Sequence, residues 1–368
     1  MGTYFEFWKP QAAQGKIYLP DIIVGYSSGE NEILSIPFIK SRLINFDKYV
    51  EDFKAEYKFE EPENSLIYID EGMSQAVLLA CLIYENEETL KPFKNELGII
   101  GLRSFRMVIN NLTLNRNHYY SSKNPKVLDH IKLTFEKLKL LASCCYESKV
   151  TKAVYDKEIE TEHIYMDFFV DSELIKGLKI LFPISFDFFR FFQVLYELNI
   201  IAFSNEEKED IYKSKGYYID YKVPKGLPNE TSFFFEDFFI LKNIQDEDEP
   251  KPLLLREFSD GEHQFIHTMG ICLMLKNRRS LLLLDEPETH FNPSWRAKFI
   301  KILDDSIKAG SKDLMYGLNP ANINYLKDIL LTSHSPFIIS DCMPDNVLFF
   351  DRNPETKNFR QGNHLNWD

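Results

Sequence analysis

The stretch that decides the fold is Ser280–Trp295, which reads SLLLLDEPETHFNPSW. Its consecutive leucines form an apolar run whose length is typical of a strand that is buried on both faces. Two carboxylates, Asp285 and Glu286, follow at the carboxyl end of the run, and Pro287 then fixes the backbone direction. Because an open α/β sheet binds its ligand at the carboxyl ends of its strands, these two acids are the first candidate site residues.

This pattern has the outline of a Walker B motif, in which an Asp at a strand end holds Mg²⁺ and a neighbouring Glu orients and deprotonates water. The alternative is a buried strand that ends in two acids by chance, since a motif without context is weak evidence. A second segment, Ser65–Glu71 (SLIYIDE), has the same outline, but no companion motif follows it. We interpret that segment as a strand leading into a helix over Ser74–Tyr84.

The first companion motif of Asp285 lies upstream, where Phe258–Gln264 reads FSDGEHQ. Ser259 and Gly261 precede an apolar-rich segment over Phe265–Leu275. A serine hydroxyl and the exposed backbone N–H groups at a helix N-terminus form a site for an anion. The alternative is that Ser259 is an ordinary N-cap of a helix.

The second companion motif lies downstream, where Leu330–Pro336 reads LLTSHSP. It is a short apolar run that ends in Thr332, Ser333 and His334. A histidine at a strand end beside a phosphate can donate a hydrogen bond to the γ-phosphate or position water. The alternative is that His334 is a core histidine bonded to the backbone.

In this order the motifs resemble the ABC-type ATPases, over about a quarter of the chain, Phe258–Asp341. DEPETHFNP followed by TSHSPFIISD is similar to the AAA-labelled ATPases of prokaryotic defence and restriction operons, in particular the restriction-system-associated AAA family ATPases. These are relatives of the overcoming-lysogenization-defect and RecF-like proteins. The resemblance implies an α/β fold: a P-loop NTPase head of the ABC type, here with an incomplete N-terminal lobe and a mainly helical insertion.

The resemblance also implies a catalytic role for three residues and the cofactors ATP and Mg²⁺. Asp285 would serve Mg²⁺, Glu286 would be the general base, and His334 would be the switch histidine. Each of these roles belongs to the family and is carried over to the matching position of this sequence.

A second set of residues would act across a dimer. Ser259, Gly261 and Glu262 would form the signature that reaches the γ-phosphate bound by the partner. His290 and Asn292 fall where such proteins carry the loop between active sites. The resemblance therefore implies a homodimer or higher oligomer.

The usual phosphate cradle, G-x-x-x-x-G-K-[ST], does not occur in this sequence. The nearest approach is Gly15–Lys16, but Pro10 stands at the first glycine position and Ile17 replaces the hydroxyl residue. We therefore expect the cradle to come from an upstream segment or a partner chain, unless the chain is a naturally degenerate member. If the chain has a cradle of different sequence, we expect it at the strand end Gly25–Glu32.

The length, composition and net charge of the chain limit the classes of protein to which it can belong. The 368 residues, 44% of them hydrophobic, can bury a substantial core in two subdomains. A net charge of −13 without a dense Lys/Arg run disfavours broad attraction to nucleic acid, although a local basic groove is left open. Five cysteines without a CxxC, no long apolar stretch and no signal-peptide pattern predict a cytoplasmic protein with buried, reduced thiols and no membrane contact.

The chain is divided into three parts: 1–60 as part of the ATPase core, 61–215 as a mainly helical insertion, and 216–368 as the core with the three motifs. Apolar spacing predicts helices over Ile33–Phe53, Asp129–Tyr146 and Phe182–Ile201. Strands are predicted over Ser232–Ile244 and Asn346–Phe350.

The leading functional hypothesis is an ATP-binding and ATP-hydrolysing module of a dimerising ATPase in a defence or restriction system, which gates a nuclease partner. Hydrolysis is expected only when the missing cradle lobe completes the site. The alternative is a non-hydrolysing nucleotide-sensing or scaffold subunit that donates Ser259 in trans. A third hypothesis, a nucleic-acid-binding module, rests only on the family resemblance.

Overall fold

The structure is a computed structural model of the chain. It describes residues 20–28, 38, 66–69, 71–111, 125–154, 157–199, 209–210, 213, 231–244, 247–275, 278–311, 327–352 and 359–361. The predicted helix over 33–53 lies outside these residues except for Phe38. Residues 15–16 and 29–32, which belong to the two segments considered above for the phosphate cradle, also lie outside the described residues.

Strands and helices are interspersed along the described chain. The strands are β1 (Ile22–Ser27), β2 (Leu66–Tyr68), β3 (Ile99–Asn110), β4 (Cys144–Val154), β5 (Lys157–Phe169), β6 (Phe233–Lys242), β7 (Lys251–Leu254), β8 (Ser280–Asp285), β9 (Lys327–Thr332), β10 (Phe350–Arg352) and β11 (Phe359–Gln361). The helices are α1 (Ser74–Tyr84), α2 (Lys91–Leu97), α3 (Pro125–Leu141), α4 (Ser172–Leu181), α5 (Ser185–Asn199), α6 (Asp260–Met274), α7 (Pro293–Arg296), α8 (Phe299–Ser311) and α9 (Pro336–Asp341).

A parallel sheet with the strand order β2–β1–β8–β9 carries the candidate site. Leu282 and Leu284 of β8 are buried, and Asp285 is the last residue of this strand. The strand predicted from the leucine run is therefore confirmed, but its burial on both faces is not complete, because Leu281 and Leu283 are only partly buried. The register pairs Asp285 with Ser27 of β1 on one side and with Thr332 of β9 on the other. These three residues form one row at the carboxyl edge of the sheet.

The second sheet is antiparallel, with the strand order β4–β5–β3–β6–β7. The predicted mainly helical insertion over 61–215 is therefore wrong in part, because β3, β4 and β5 lie within it together with helices. β5 reads KEIETEHIYMDFF, whose first seven residues are polar except for Ile159, and such a strand gives a weak apolar signal. Because β3 also pairs with β6, this sheet combines strands from both sides of the proposed boundary at 215.

The helix predicted over 129–146 ends earlier than its apolar spacing indicates. α3 stops at Leu141, and the Ser143 backbone N–H then donates to the Asp167 carbonyl oxygen over 2.7 Å. This bond begins the pairing of β4 with β5, and the pairing overrides the helical pattern. Cys144 and Cys145 consequently lie on β4 and are exposed, so the prediction of buried thiols is wrong for these two.

Other elements follow the predictions closely. α1 has the predicted bounds, α5 covers most of the predicted helix over 182–201, and β6 lies within the predicted strand over 232–244. The last predicted strand, over 346–350, is wrong, because residues 347–349 have no regular structure and β10 begins only at Phe350.

A hydrophobic cluster joins both sheets to the helices and fixes the elements that lead to the site. α1 is buried along most of its length and packs against α5 and α6. Gly270 lets α6 approach closely, because a Cβ there would lie 2.7 Å from Cγ1 of Val77. Cys81 donates through its Sγ to the carbonyl oxygen of Gly270 over 3.3 Å. None of the described helices has the length and apolarity that a membrane span requires.

Candidate functional site

The row at the carboxyl edge brings two hydroxyl groups onto the carboxylate of Asp285. Ser27 Oγ donates to Asp285 Oδ2 over 3.1 Å, and Thr332 Oγ1 donates to Asp285 Oδ1 over 2.6 Å. Parallel pairing of the three strands places these side chains together, because their carboxyl ends meet at one edge of the sheet. Asp285 is therefore surrounded by oxygen atoms at the position where the motif predicts Mg²⁺.

Glu286 and His334 meet beside this row. Glu286 Oε1 lies 2.8 Å from His334 Nε2, and the imidazole is 91% exposed while the Glu286 side chain is 39% exposed. The alternative interpretation of His334 as a core histidine is therefore wrong. Two groups that can exchange protons with solvent stand next to each other at the end of the leucine-rich strand.

Glu286 has a left-handed backbone conformation, with φ of 46°. This region is uncommon for a residue with a Cβ and costs free energy unless the surrounding structure holds it. Here the Glu286 N–H donates to the Thr332 carbonyl oxygen over 3.0 Å, and Thr289 Oγ1 donates to the Glu286 carbonyl oxygen over 2.9 Å. The bonds from both sides keep the Glu286 side chain directed towards His334. We call Ser27, Asp285, Glu286, Thr332 and His334 the strand-end cluster.

The end of β1 is also tied to the loop that follows β8. The Ser28 N–H donates to the Asp285 carbonyl oxygen over 3.1 Å, and Ser28 Oγ lies 2.9 Å from Thr289 Oγ1. The segment 25–32 is the predicted place for a cradle of different sequence, but neither Ser27 nor Ser28 was singled out within it. The one feature that could have indicated these serines is their position at the end of a strand. That Ser27 reaches Asp285 is shown only by the register between β1 and β8.

Glu288 is a buried acid in the same loop. It belongs to the DEPE motif, but no role was predicted for it. Its side chain accepts a hydrogen bond from Ser333 Oγ, and the residue is only 3% exposed. Burial raises the pKa of Glu288 above its usual value, and the neighbouring Glu286 carboxylate adds to this; the bond from Ser333 opposes it only in part. The sequence shows Glu288 only as the third acid in DEPE. From sequence alone, a buried acid at this position cannot be distinguished from a surface residue.

The remaining predicted residues come together in an open pocket of about 410 Å³. We call it the signature pocket, and it is lined by Ser259, Asp260, Gly261, Glu262, His290, Asn292 and Trp295. The His290 N–H donates to Gln264 Oε1 over 2.7 Å, which fixes the loop after β8 against α6. Gly261 allows this approach, because a Cβ there would lie 2.6 Å from the His290 carbonyl oxygen.

Ser259 is the N-cap of α6, as its alternative interpretation states. Its Oγ accepts from the Glu262 N–H over 3.3 Å, and its own N–H donates to Glu262 Oε2 over 2.9 Å, so that the two residues form a capping box. Lys242 forms an ion pair with Glu262. Partial burial works to raise the pKa of Glu262, but the hydrogen bonds from Lys242 and Ser259 outweigh it and lower that pKa below its usual value.

Asn292 caps a helix as well, because its Oδ1 accepts from the Trp295 N–H over 2.8 Å, and Pro293 occupies the first turn of α7. The structure thus brings the predicted residues together as two groups, the strand-end cluster and the signature pocket. The loop from Glu286 to Asn292 runs from the first group to the second.

The comparison with protein families gives one match, over residues 27–340, to the family described as "AAA domain, putative AbiEii toxin, Type IV TA system". The chain belongs to this family. The matched range begins at Ser27 and includes both groups of site residues. The chain therefore carries an ATPase-like AAA domain of a kind associated with toxin–antitoxin systems, and its α/β architecture agrees with a P-loop NTPase-like fold. No curated protein and no solved structure gave a significant match.

The family generally binds ATP with Mg²⁺, and the residues at the strand ends fit such an ion. Mg²⁺ prefers oxygen ligands and is usually held by one or two carboxylates together with phosphate oxygens and water. Asp285 with the hydroxyls of Ser27 and Thr332 provides such oxygens. No group of three or more His, Cys, Asp or Glu side chains within the described residues could hold a metal ion by itself. Within the described residues, an ion at Asp285 would take its remaining ligands from phosphate oxygens and water.

Proposed function

We propose that this chain is the ATP-hydrolysing head of a dimerising ABC-type ATPase in a prokaryotic defence or restriction system. The observation that carries the proposal is the strand-end cluster, in which Asp285 meets the hydroxyls of Ser27 and Thr332 next to the pair of Glu286 and His334. These side chains come from three strands, lie at the edge where such sheets bind ligands, and include a strained glutamate.

The cluster contains the groups that phosphoryl transfer to water requires. Asp285 would hold Mg²⁺ together with a hydroxyl of β1, since P-loop NTPases hold this ion with a loop hydroxyl and the Walker B Asp. The ion would neutralise charge on the phosphates. Glu286 would accept a proton from the attacking water, and His334 would donate to a γ-phosphate oxygen.

The signature pocket would serve the nucleotide of a second subunit. The first backbone N–H groups of α6 can donate to a phosphate, and a helix N-terminus favours negative charge. Glu262 would oppose this, but its charge is paired with Lys242. The pocket is open to solvent, as a surface that meets a partner must be. In the working assembly, nucleotide turnover would gate a nuclease partner, and the family's description as part of a toxin–antitoxin system supports a defence role.

A second candidate function is a non-hydrolysing nucleotide-sensing or scaffold subunit, and one observation favours it. Residues 17–39, which contain β1 and the segment after it, include neither Lys nor Arg. A P-loop uses a lysine at the β- and γ-phosphates, where it neutralises charge that develops during transfer. Without that lysine, the chain would need a cation from another segment or chain to hydrolyse ATP.

Nucleotide binding and turnover by the purified chain separate these possibilities. If a missing lobe supplies the cradle, we expect a Kd for ATP of about 1 mM or weaker and no turnover until that lobe is added. If Ser27 and Ser28 begin a cradle of different sequence, micromolar binding and Glu286-dependent hydrolysis follow from the chain alone. Tight binding without hydrolysis in any assembly would favour the sensing subunit over the ATPase.

The proposed contact of the signature pocket with the nucleotide of a second subunit is tested by measuring the association of two heads. Ser259→Arg should abolish ATP-driven pairing of two heads, measured by light scattering, because the large side chain fills the pocket. Loss of the N-cap alone should lower the free energy of unfolding by only about 1 kcal/mol, so the chain should stay folded. Normal ATP-driven pairing of the variant would mean that Ser259 is a cap and nothing more.

A further inference from the structure

We propose that Glu288 is a positioning residue that holds the loop after β9 so that the imidazole of His334 meets Glu286. This inference rests on the proposed function, because it assigns a role in the same reaction. Glu288 touches none of the reacting groups itself. It would act through Ser333 and Ser335, the two residues that flank His334.

A chain of hydrogen bonds connects Glu288 to the histidine loop. Ser333 Oγ donates to the Glu288 carboxyl group, and the same Oγ accepts from the Ser335 N–H over 2.9 Å. The two serines are thereby fastened on either side of His334, and both bonds depend on the position of one hydroxyl. Fixing that hydroxyl fixes the backbone from which the imidazole extends.

Within the part of the chain that the structure describes, little besides Glu286 holds the imidazole. His334 is 91% exposed, and its Nε2 lies 2.8 Å from Glu286 Oε1. An exposed side chain gains rotational freedom when its backbone loosens, and this freedom opposes a defined orientation. The orientation of His334 relative to Glu286 therefore depends on how firmly residues 333–335 are held.

Glu288 is a costly residue for a purely structural position. It is 3% exposed, and its Oε2 has no hydrogen-bond partner among the described residues. Arg296 lies nearby but donates to backbone oxygens, with its Nε 3.2 Å from the Glu288 carbonyl oxygen and its Nη2 2.7 Å from that of Thr289. Burial of a carboxyl group without full hydrogen bonding costs free energy. An apolar side chain would fill the space at lower cost but could not hold Ser333.

Hydrogen exchange of the amides of 333–335 tests the inference without any need for turnover. We expect Glu288→Ala and Ser333→Ala to raise the exchange rate of the Ser335 amide about tenfold or more, because both remove its anchor. Glu288→Gln should leave that rate near the wild-type value, since its amide oxygen can still accept from Ser333. Glu96→Ala is the matched control, because Glu96 is also mostly buried and pairs with Lys298, on the stretch between α7 and α8.

Steady-state kinetics of the hydrolysing assembly provide the second measurement. A misplaced His334 should lower kcat by about 10²-fold in Glu288→Ala while KM changes little, because misplacement of a catalytic group by about 1 Å has an effect of this size. Glu288→Gln should restore most of kcat. Wild-type exchange at Ser335 in both alanine variants would overturn the proposal. An assembly that never hydrolyses ATP would instead refute the proposed function, and the exchange experiment would still decide whether Glu288 anchors the loop.

Discussion

The strand-end cluster and the signature pocket were both predicted from motifs, but they differ in how well their residues are explained without a ligand. In the pocket, Ser259 and Asn292 cap helices, Gly261 makes room for a carbonyl group, and Glu262 pairs with Lys242. The fold alone therefore explains why each of these residues occupies its position. In the cluster, Glu286 adopts an unfavourable φ and His334 stands almost fully exposed.

The single chain therefore gives more evidence of function at the strand ends than at the pocket. Strain and exposure that the fold does not need point to chemistry at the strand ends. The pocket would show its function only when a second subunit brings a phosphate to it. If this division between the two regions is correct, substitution of the base in the strand-end cluster should act on turnover, and substitutions in the signature pocket should act on the stability of the single chain.

Glu286→Gln should have the largest effect. In the active assembly it should lower the turnover number for ATP by about 10²–10⁴-fold, because it removes the general base but keeps the shape of the side chain. Nucleotide affinity should change little, which equilibrium binding can check. Glu173→Gln, at an exposed acid on α4, serves as the control and should turn over normally. Unchanged turnover in Glu286→Gln would show that the strained glutamate is not the base.

Gly261→Val should have the next largest effect, and it acts on stability. The Cβ would lie 2.6 Å from the His290 carbonyl oxygen, so the loop after β8 must move or α6 must shift. Overpacking of this kind costs about 1–3 kcal/mol, which should appear in denaturant unfolding. Gly101→Val is the matched control, because nothing lies within 4 Å of a Cβ at that glycine. Equal stability of the two variants would contradict the tight contact between α6 and the loop.

Glu262→Gln should have the smallest effect, and its size should depend on pH. The pKa of Glu262 is lowered in the folded chain, so its contribution to stability is present above its unfolded pKa and is lost as pH falls through the folded value. The variant should be less stable than the wild type near pH 7, by less than about 1 kcal/mol because the group is partly exposed. The difference should shrink in acid. Thermal unfolding at several pH values measures it, and a gap that widens on acidification would contradict the pairing with Lys242.

The sequence predicted the parts of the fold whose signals are local. The leucine run of β8 and the bounds of α1 both depend on neighbouring residues. The long strands β3, β4 and β5 were missed for different reasons. β4 forms a hairpin with β5, but its described residues are mostly exposed and give a weak apolar signal. β3 pairs with β5 and β6, which lie far from it in sequence. Local spacing cannot detect such partners.

The same distinction applies to the site. Asp285, Glu286 and His334 were predicted because each stands in a recognisable motif. Ser27 was not singled out, because its relation to Asp285 exists only in the register between β1 and β8. Glu288 was not assigned, because its burial and its bond to Ser333 come from the path of two loops that meet in space.

The row of Ser27, Asp285 and Thr332 has a consequence for synthesis of the protein. Ser27 and Asp285 are 258 positions apart, and Thr332 follows Asp285 by a further 47. Pairing over such separations closes large loops and is slow compared with local helix formation. A chain emerging from the ribosome makes Ser27 early but cannot form the row until Thr332 has been released. A nascent chain therefore cannot assemble the cluster before Thr332 and His334 have left the ribosome, and any hydrolysis that the cluster supports must begin after that point.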